Sequence, residues 1–306
     1  MSDRPYRILI TGASGNVGAE TIAALSAMPT DTPAAPAAGG GPGNRRLEIR
    51  AAVRDTGCYS ALSQIVSPVR FDFTDDSTWD SALEAVDAVF LVRPPAISDI
   101  DAPLGPFIDR CAARGVKKIV FLSLIGVENM SYVPHHKVEA HIRSSGIPFV
   151  FLRPSFFMQN LSTTHRKEIA KEDEIFVPAG KGKTNFVDVR DIGEVAAKVL
   201  VEAGHEGEAY ELTGSSSYDY FEIAEMISQA IGRKIRYAKP SAARFFLRSV
   251  RRGMPFGYAL VMAGLYTASA LGKAGKTTDG LEWLLGRKPR DFCSFANETR
   301  SAWKRP

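Results

Sequence analysis

The sequence predicts an α/β fold in which a doubly wound parallel sheet is joined to a smaller, mostly helical portion. Three observations lead there. Short apolar runs recur along the first half of the chain, and stretches of helical periodicity separate them. The first of these runs ends in Thr11-Gly-Ala-Ser-Gly-Asn-Val-Gly18, a glycine turn between a strand and a helix. Strands that alternate with helices make βαβ units, whose strands lie parallel in one sheet.

The apolar runs at 7–10, 48–53, 69–71, 88–92, 118–122 and 149–153 read as strands, and helical stretches reach Ala27 and cover 77–85, 104–114 and 136–145. Residues 29–46 consist of Pro, Ala and Gly with almost no apolar bulk, so they read as a flexible surface insertion that buries no core. After Arg153 the alternation stops. A strand at 185–189, a helix at 192–202 with Asp191 as its N-cap, and a strand at 209–212 are expected before a mostly helical remainder.

A chain of 306 residues with 45% hydrophobic and 24% charged side chains is an ordinary globular one, large enough for two modest domains. Cys58, Cys111 and Cys293 are too few and too scattered for a disulfide framework or a zinc site, which suits a reducing cytoplasm. His135, His136 and His141 lack metal-ligand spacing, so no metal is expected. From Arg233 onward sixteen Lys or Arg face four Asp or Glu, a basic region read chiefly as a solvated face. Residues 253–272 carry no charge, but their glycines, Pro255, Thr267 and Ser269 argue for a buried helix over a membrane span.

The glycine turn points to a dinucleotide. Gly12, Gly15 and Gly18 let the backbone approach a pyrophosphate, and the helix start supplies unpaired N–H groups and a positive dipole end. Thr11, Ser14, Asn16 and Val17 complete the expected cradle. At the second strand end Arg54 precedes Asp55. An arginine pairs with a ribose 2′-phosphate where an acidic residue would take the 2′-hydroxyl, so NADP(H) is expected over NAD(H). Asp72 and Phe73 follow the third strand, where Asp72 either receives the adenine amino group or caps a turn. Val92 and Arg93 close the fourth strand, beneath the nicotinamide ribose. These positions define an NAD(P)-binding domain over 1–155, to which 185–213 returns, with 156–306 as the substrate-binding portion.

The segments ILITGASGNVG, AAVRD, FDFTD, GVKKIVFLSLIGVE, HHKVEAHIRSSGIPFVFLRPSFFMQN, NFVDVRDIGEVAAKVL, YELTG and TTDGLEWLLGRKPRDFCSFA occur in the order seen in the NmrA-like atypical short-chain dehydrogenases/reductases. The chain resembles that family over essentially its whole length outside 29–46. The resemblance implies a Rossmann-type domain and places Lys137 against the nicotinamide ribose, with possible acid–base work. It also implies Pro154 and Ser155 at the carboxamide side, the Phe156 loop over the nicotinamide, and Ser123 at a strand end where relatives hold a hydroxyl near substrate. Members include quinone, triphenylmethane-dye and isoflavone-type reductases, and a transcriptional co-regulator that binds dinucleotide without evident turnover.

Many nicotinamide-dependent reductases pair a tyrosine with a lysine four residues on. Here Tyr132 lies five before Lys137, position 133 is Val, and Pro134 suits a first helical turn, so Tyr132 is expected in the preceding loop. Without that acid, worth roughly 10²–10⁴-fold, the chemistry shifts towards conjugated acceptors that take hydride readily and a proton later. His136 is an alternative donor by its ordinary pKa, or simply a solvated helix-start residue. Phe156, Phe157, Met158 and Asn160 read as substrate-binding, with the alternative that two of the three apolar ones pack a hinge. Phe245, Phe246, Phe256, Tyr258 and Tyr266 would close the other side. The expected function is an NADPH-dependent reductase of an apolar conjugated small molecule, with Lys137 and Ser123 as catalytic residues. The alternative is an NAD(P)-sensing regulator that binds a protein. No nucleic-acid partner and no membrane contact is expected, and the chain would be a monomer or homodimer.

Overall fold

Ile8, Leu9 and Ile10 are wholly buried. Successive strand residues point to opposite faces, so a strand with neither face exposed needs cover on both sides. The computed structural model describes residues 4–29, 33–34, 43–44, 46–59, 63–95, 97 and 99–305. It places this strand, β1 (Tyr6–Ile10), inside a sheet with β2 (Leu47–Val53), β3 (Val66–Arg70), β4 (Ala88–Val92), β5 (Lys118–Leu122), β6 (Phe149–Pro154) and β7 (Ala209–Leu212). The order is β7-β6-β5-β4-β1-β2-β3, and the ladders joining β1 through β6 are all parallel. The chain therefore winds outward one way from β1 to β3 and the other way from β4. The Rossmann-type doubly wound sheet expected from the sequence is the fold observed.

Helices α1 (Asn16–Ala27), α2 (Leu104–Ala113) and α3 (Pro134–Ser144) flank the sheet. One core is aromatic: Phe71, Phe73 and Trp79 each meet the Phe107 ring edge to face at 5.1 to 5.6 Å. The third strand begins earlier than the apolar run suggested, at Val66. Pro68 disguises it, yet a proline is tolerated because β3 is the sheet edge. The helix expected over 77–85 contracts to Trp79–Ala82 after a 3₁₀ turn at Asp76–Thr78. The expected insertion over 29–46 lies almost wholly outside the described residues; within it, Pro33–Ala34 pairs with Gly43–Asn44.

The chain divides into two compact units, Met1–Pro154 with Ile192–Glu211 and Ser155–Asp191 with Leu212–Pro306. In the second, Thr184–Val187 pairs with Phe156–Phe157 and Ser217–Tyr218 in a three-stranded sheet. Its core gathers Tyr220, Tyr266, Phe292, Phe295 and Trp303, all fully buried. Helix α4 (Val189–Val201) starts before Asp191, so Asp191 is not its cap. Asp188 takes that place and accepts the Arg190 N–H at 2.9 Å, while Asp191 receives Arg287 at 2.8 Å and the Arg290 N–H at 2.7 Å. Helices α5 (Ala242–Arg251) and α6 (Phe256–Ala270) follow. The uncharged stretch 253–272 contributes α6, and no described helix is long and apolar enough to cross a membrane.

Within the second unit, Asn185 ties the small sheet to Ser155 and Gly214. It is buried, its Oδ1 accepts the Ser155 hydroxyl and the Gly214 N–H at 2.8 Å each, and its Nδ2 donates to Gly214 O at 2.9 Å. Asn185→Ala leaves these partners buried without a bond, at roughly 1–3 kcal/mol per group. The expected loss of stability is about 3 kcal/mol by urea denaturation. A change under about 1 kcal/mol would show that the bonds are not what holds these segments of the second unit together.

Candidate active site

In a parallel sheet every strand ends on the same edge, and the crevice opens where the winding direction reverses, here between β1 and β4. Thr11 pins that point. Its buried hydroxyl donates to Phe90 O at 3.0 Å and accepts the Val92 N–H at 2.8 Å, tying the two strand ends together. Gly12 has φ +63°, and a Cβ on Gly18 would overlap the Gly12 carbonyl oxygen. Only glycine serves at both positions. Gly12 O instead accepts the Gly15 N–H at 2.8 Å, and the loop runs directly into α1. Ser14, Gly15 and Asn16 are exposed, whereas Thr11, Val17 and Gly18 are buried beneath them. No side chain caps α1 and no acid lies in its first turn, so the helix start presents open N–H groups and its positive dipole end.

At the β2 end Arg54 is exposed. Asp55 turns its carboxylate onto the Gly57 N–H at 2.9 Å and starts a 3₁₀ turn. The Asp55 carboxylate is thereby engaged by its own turn. Asp72 lies within the field of Arg54. The Thr74 N–H and hydroxyl, bonded to Asp72 Oδ1 at 2.8 and 2.7 Å, hold that carboxyl below the usual carboxylate range, with smaller help from Arg54 and Arg70. Asp72 thus caps a turn, one of the two roles open to it. Phe73 is buried in the core, so only its backbone is at the edge. Val92 is half-buried. Arg93 curls its guanidinium onto the carbonyls of its own loop, Pro94 at 2.9 Å among them.

Helix α3 opens at Pro134 with Val133 as N-cap. Tyr132 precedes it in a turn and is 80% exposed, and Lys137 is exposed one turn into the helix. The tyrosine and lysine therefore share no helical face. His135 is packed beside Phe121, with ring centroids 6.0 Å apart. Burial, with help from the Arg93 charge, pushes its pKa down to about 3. His136 is half-buried, and His141 bonds Asp109 at 2.8 Å.

Ser123 is placed at the end of β5, but its hydroxyl faces protein. It donates to the buried Glu139 carboxylate at 2.6 Å. Glu139 also receives Arg153 at 3.0 and 2.7 Å and Arg143 at 3.1 Å, and Arg153 reaches Glu128 at 3.0 Å. This cluster ties α3, two residues from Lys137, to the ends of β5 and β6. A buried carboxylate is tolerable only with such partners. The sequence held its signal: Glu139 lies between the buried Val138 and Ile142, and Arg153 ends an apolar strand. Each implies a buried opposite charge.

In the second unit, Ser155 is buried on Asn185. Pro154 closes β6 in the first. Phe156 and Phe157 are half-buried, and the Phe156 ring lies 5.9 Å from Tyr266. Met158 is buried in the core of this unit, so it offers no surface to a ligand. Asn160 is half-buried in a 3₁₀ turn. Of the aromatics expected to close a pocket, Phe245 and Tyr266 are buried and Phe256 is open to solvent. Tyr266 bonds His165 at 2.6 Å, and His165 bonds Glu168 at 3.1 Å, a buried chain that sequence spacing did not reveal.

The His135 environment has a pH signature. The unfolded imidazole takes a proton near pH 6.5, the folded one only near pH 3. Its contribution to stability is full above pH 6.5 and is lost as the pH falls towards 3. The stability difference between wild type and His135→Gln should therefore shrink by about 1–2 kcal/mol between pH 7 and pH 4.5 in urea titrations. A difference that does not change with pH would refute a His135 kept neutral by its surroundings.

The NmrA-like family model matches residues 5–299. Prestalk A differentiation protein A of Dictyostelium discoideum is 34% identical over 296 residues, covering 96% of this chain and 92% of its own. An NAD(P)H azoreductase of Xenophilus azovorans is 29% identical, over 97% of this chain and 99% of its own. Among solved structures, the NADPH complex of the quinone oxidoreductase QOR2 from Escherichia coli aligns with TM-score 0.79 at 26% identity, covering 95% of this chain and 99% of that one. With the glycine turn at the reversal point of a seven-stranded parallel sheet and a family match along nearly its whole length, the chain belongs to the NmrA-like family.

Proposed function

We propose that this protein is an NADPH-dependent reductase that delivers hydride to an apolar conjugated acceptor such as a quinone, enone or iminium. That it is an oxidoreductase follows from its family and its named relatives, which include an azoreductase and a quinone oxidoreductase. One observation carries the choice of acceptor: Lys137 is exposed on α3 while Tyr132 lies outside the helix and buried Val133 occupies the position one turn back. A simple ketone needs a positioned acid; an electron-poor conjugated system does not, because its proton can come from water.

The first unit fits the cofactor. The Gly12–Gly18 turn packs backbone against backbone with no side chain in between, and the open start of α1 suits a pyrophosphate. Arg54 would meet the 2′-phosphate, and Val92 and Lys137 the nicotinamide ribose. Bound NADPH supplies the hydride. Lys137 would orient the ribose by hydrogen bonding and stabilise negative charge developing on the acceptor. Ser123 acts through Glu139, holding α3 in place. Phe157 and Asn160 are the residues of the following loop with surface left for substrate.

Calorimetry on Arg54→Ala should show the NADPH-to-NADH affinity ratio falling by about tenfold, the worth of a charge-assisted bond. An unchanged ratio would make Arg54 a bystander.

A second reading is a dinucleotide sensor, favoured by the missing tyrosine and by a relative whose name is that of a differentiation protein. At saturating NADPH, Lys137→Ala should lower turnover with a quinone by about a hundredfold, and Tyr132→Phe should keep most of it. A wild type inert towards quinones, enones, iminium dyes and aldehydes, but capturing a partner in a redox-dependent way, would replace the enzyme with the sensor.

A further inference from the structure

Between Glu225 and Asp279 the chain has no aspartate or glutamate and ten lysines and arginines. Helices α5 and α6 lie in this stretch and pack on each other. On α5, Phe245 and Ser249 are buried, and the opposite face presents Arg244, Leu247 and Arg251 to solvent. On α6, Ala259, Met262, Ala263 and Tyr266 are buried, while Phe256, Leu260 and Val261 are 66%, 59% and 49% exposed. Leu271 follows at 69%. The two exposed faces adjoin where Phe246 meets the Phe256 ring edge to face at 5.0 Å. Apolar side chains exposed singly are ordinary, but a whole uncharged helix face joined to a leucine-bearing basic one is not.

Charge identifies what covers it. Arg248 and Arg252 are engaged by Glu172, Glu174 and Glu168. Arg244, Arg251 and Lys273 are exposed around the apolar residues. A second copy would bring two basic, acid-free faces together and be repelled. A nucleic acid would satisfy the arginines and leave leucine, valine and phenylalanine in water. An anionic bilayer satisfies both, with apolar side chains among the acyl chains and guanidinium groups on lipid phosphates. Helix α6, fifteen residues long, reaches about 22 Å at 1.5 Å per residue and falls short of the roughly 30 Å hydrocarbon core.

We infer that the α5–α6 face docks on the anionic surface of a phospholipid bilayer and lies in the interface without crossing it. This stands on the surface alone and not on the proposed reductase chemistry, so vesicle binding and turnover fail independently.

The test is flotation of the full chain with vesicles of phosphatidylglycerol and phosphatidylcholine in equal parts, against phosphatidylcholine alone. Binding should be at least about tenfold stronger to the anionic vesicles and should weaken in about 0.5 M salt. Each basic residue near such a surface is worth roughly fivefold, so Arg244→Ser with Arg251→Ser should weaken binding about thirtyfold. Phe256→Asp with Leu260→Asp should abolish it. All four sites are exposed, and unchanged circular dichroism and melting confirm that the variants fold. No binding, equal binding to both vesicle types, or full binding by either double variant overturns the proposal. So does light scattering that shows a dimer which Phe256→Asp with Leu260→Asp dissociates while vesicles stay unbound.

Discussion

The carbonyl of Gly12 occupies the space that any side chain at position 18 would need. That single close approach fixes how β1 turns into α1, and much of the first unit depends on it. It brings the start of α1 against the strand end, leaves its N–H groups open, and sets Thr11 where one hydroxyl bridges β1 and β4. The reversal of winding falls at the same place, so sheet topology and local sterics converge on one crevice.

The remainder of that edge is organised by buried charge. Glu139 is held by Ser123, Arg143 and Arg153 in a setting where an unpaired carboxylate would be costly. The arrangement fixes α3 to the ends of β5 and β6, and Lys137 travels with α3. Asp72 and Asp55 likewise direct their carboxylates to nearby turns, beside an exposed Arg54 at the β2 end. Cationic groups are thereby left open on this edge while several anionic ones are internally satisfied, which suits an anionic ligand.

The second unit uses other means. Asn185 satisfies backbone and side-chain groups from two other segments, and an aromatic core surrounds Tyr266, whose hydroxyl is raised well above its ordinary pKa by burial. Helices α5 and α6 bury one face in that core and leave the other uncovered, so this unit offers a surface as well as a core.

The sequence by itself determined the parallel sheet, because both-sided burial demands unbroken apolar strands such as 7–10 and 118–122. It also determined the glycine turn and the displacement of Tyr132 from α3, since φ above zero, close backbone approach and proline geometry are local constraints. The tertiary structure alone decided which polar residues meet. Nothing near Ser123 in sequence announces Glu139, sixteen residues on, nor does Ser155 announce Asn185. Asp188 displaced Asp191 as the cap of α4 because Arg287 and Arg290, almost a hundred residues away in sequence, claimed the latter. Met158 went to the core for the same reason: a side chain's fate after a strand end depends on what the rest of the chain packs against it. Local sterics are written in neighbouring residues, whereas partners brought together by folding are written only in the fold.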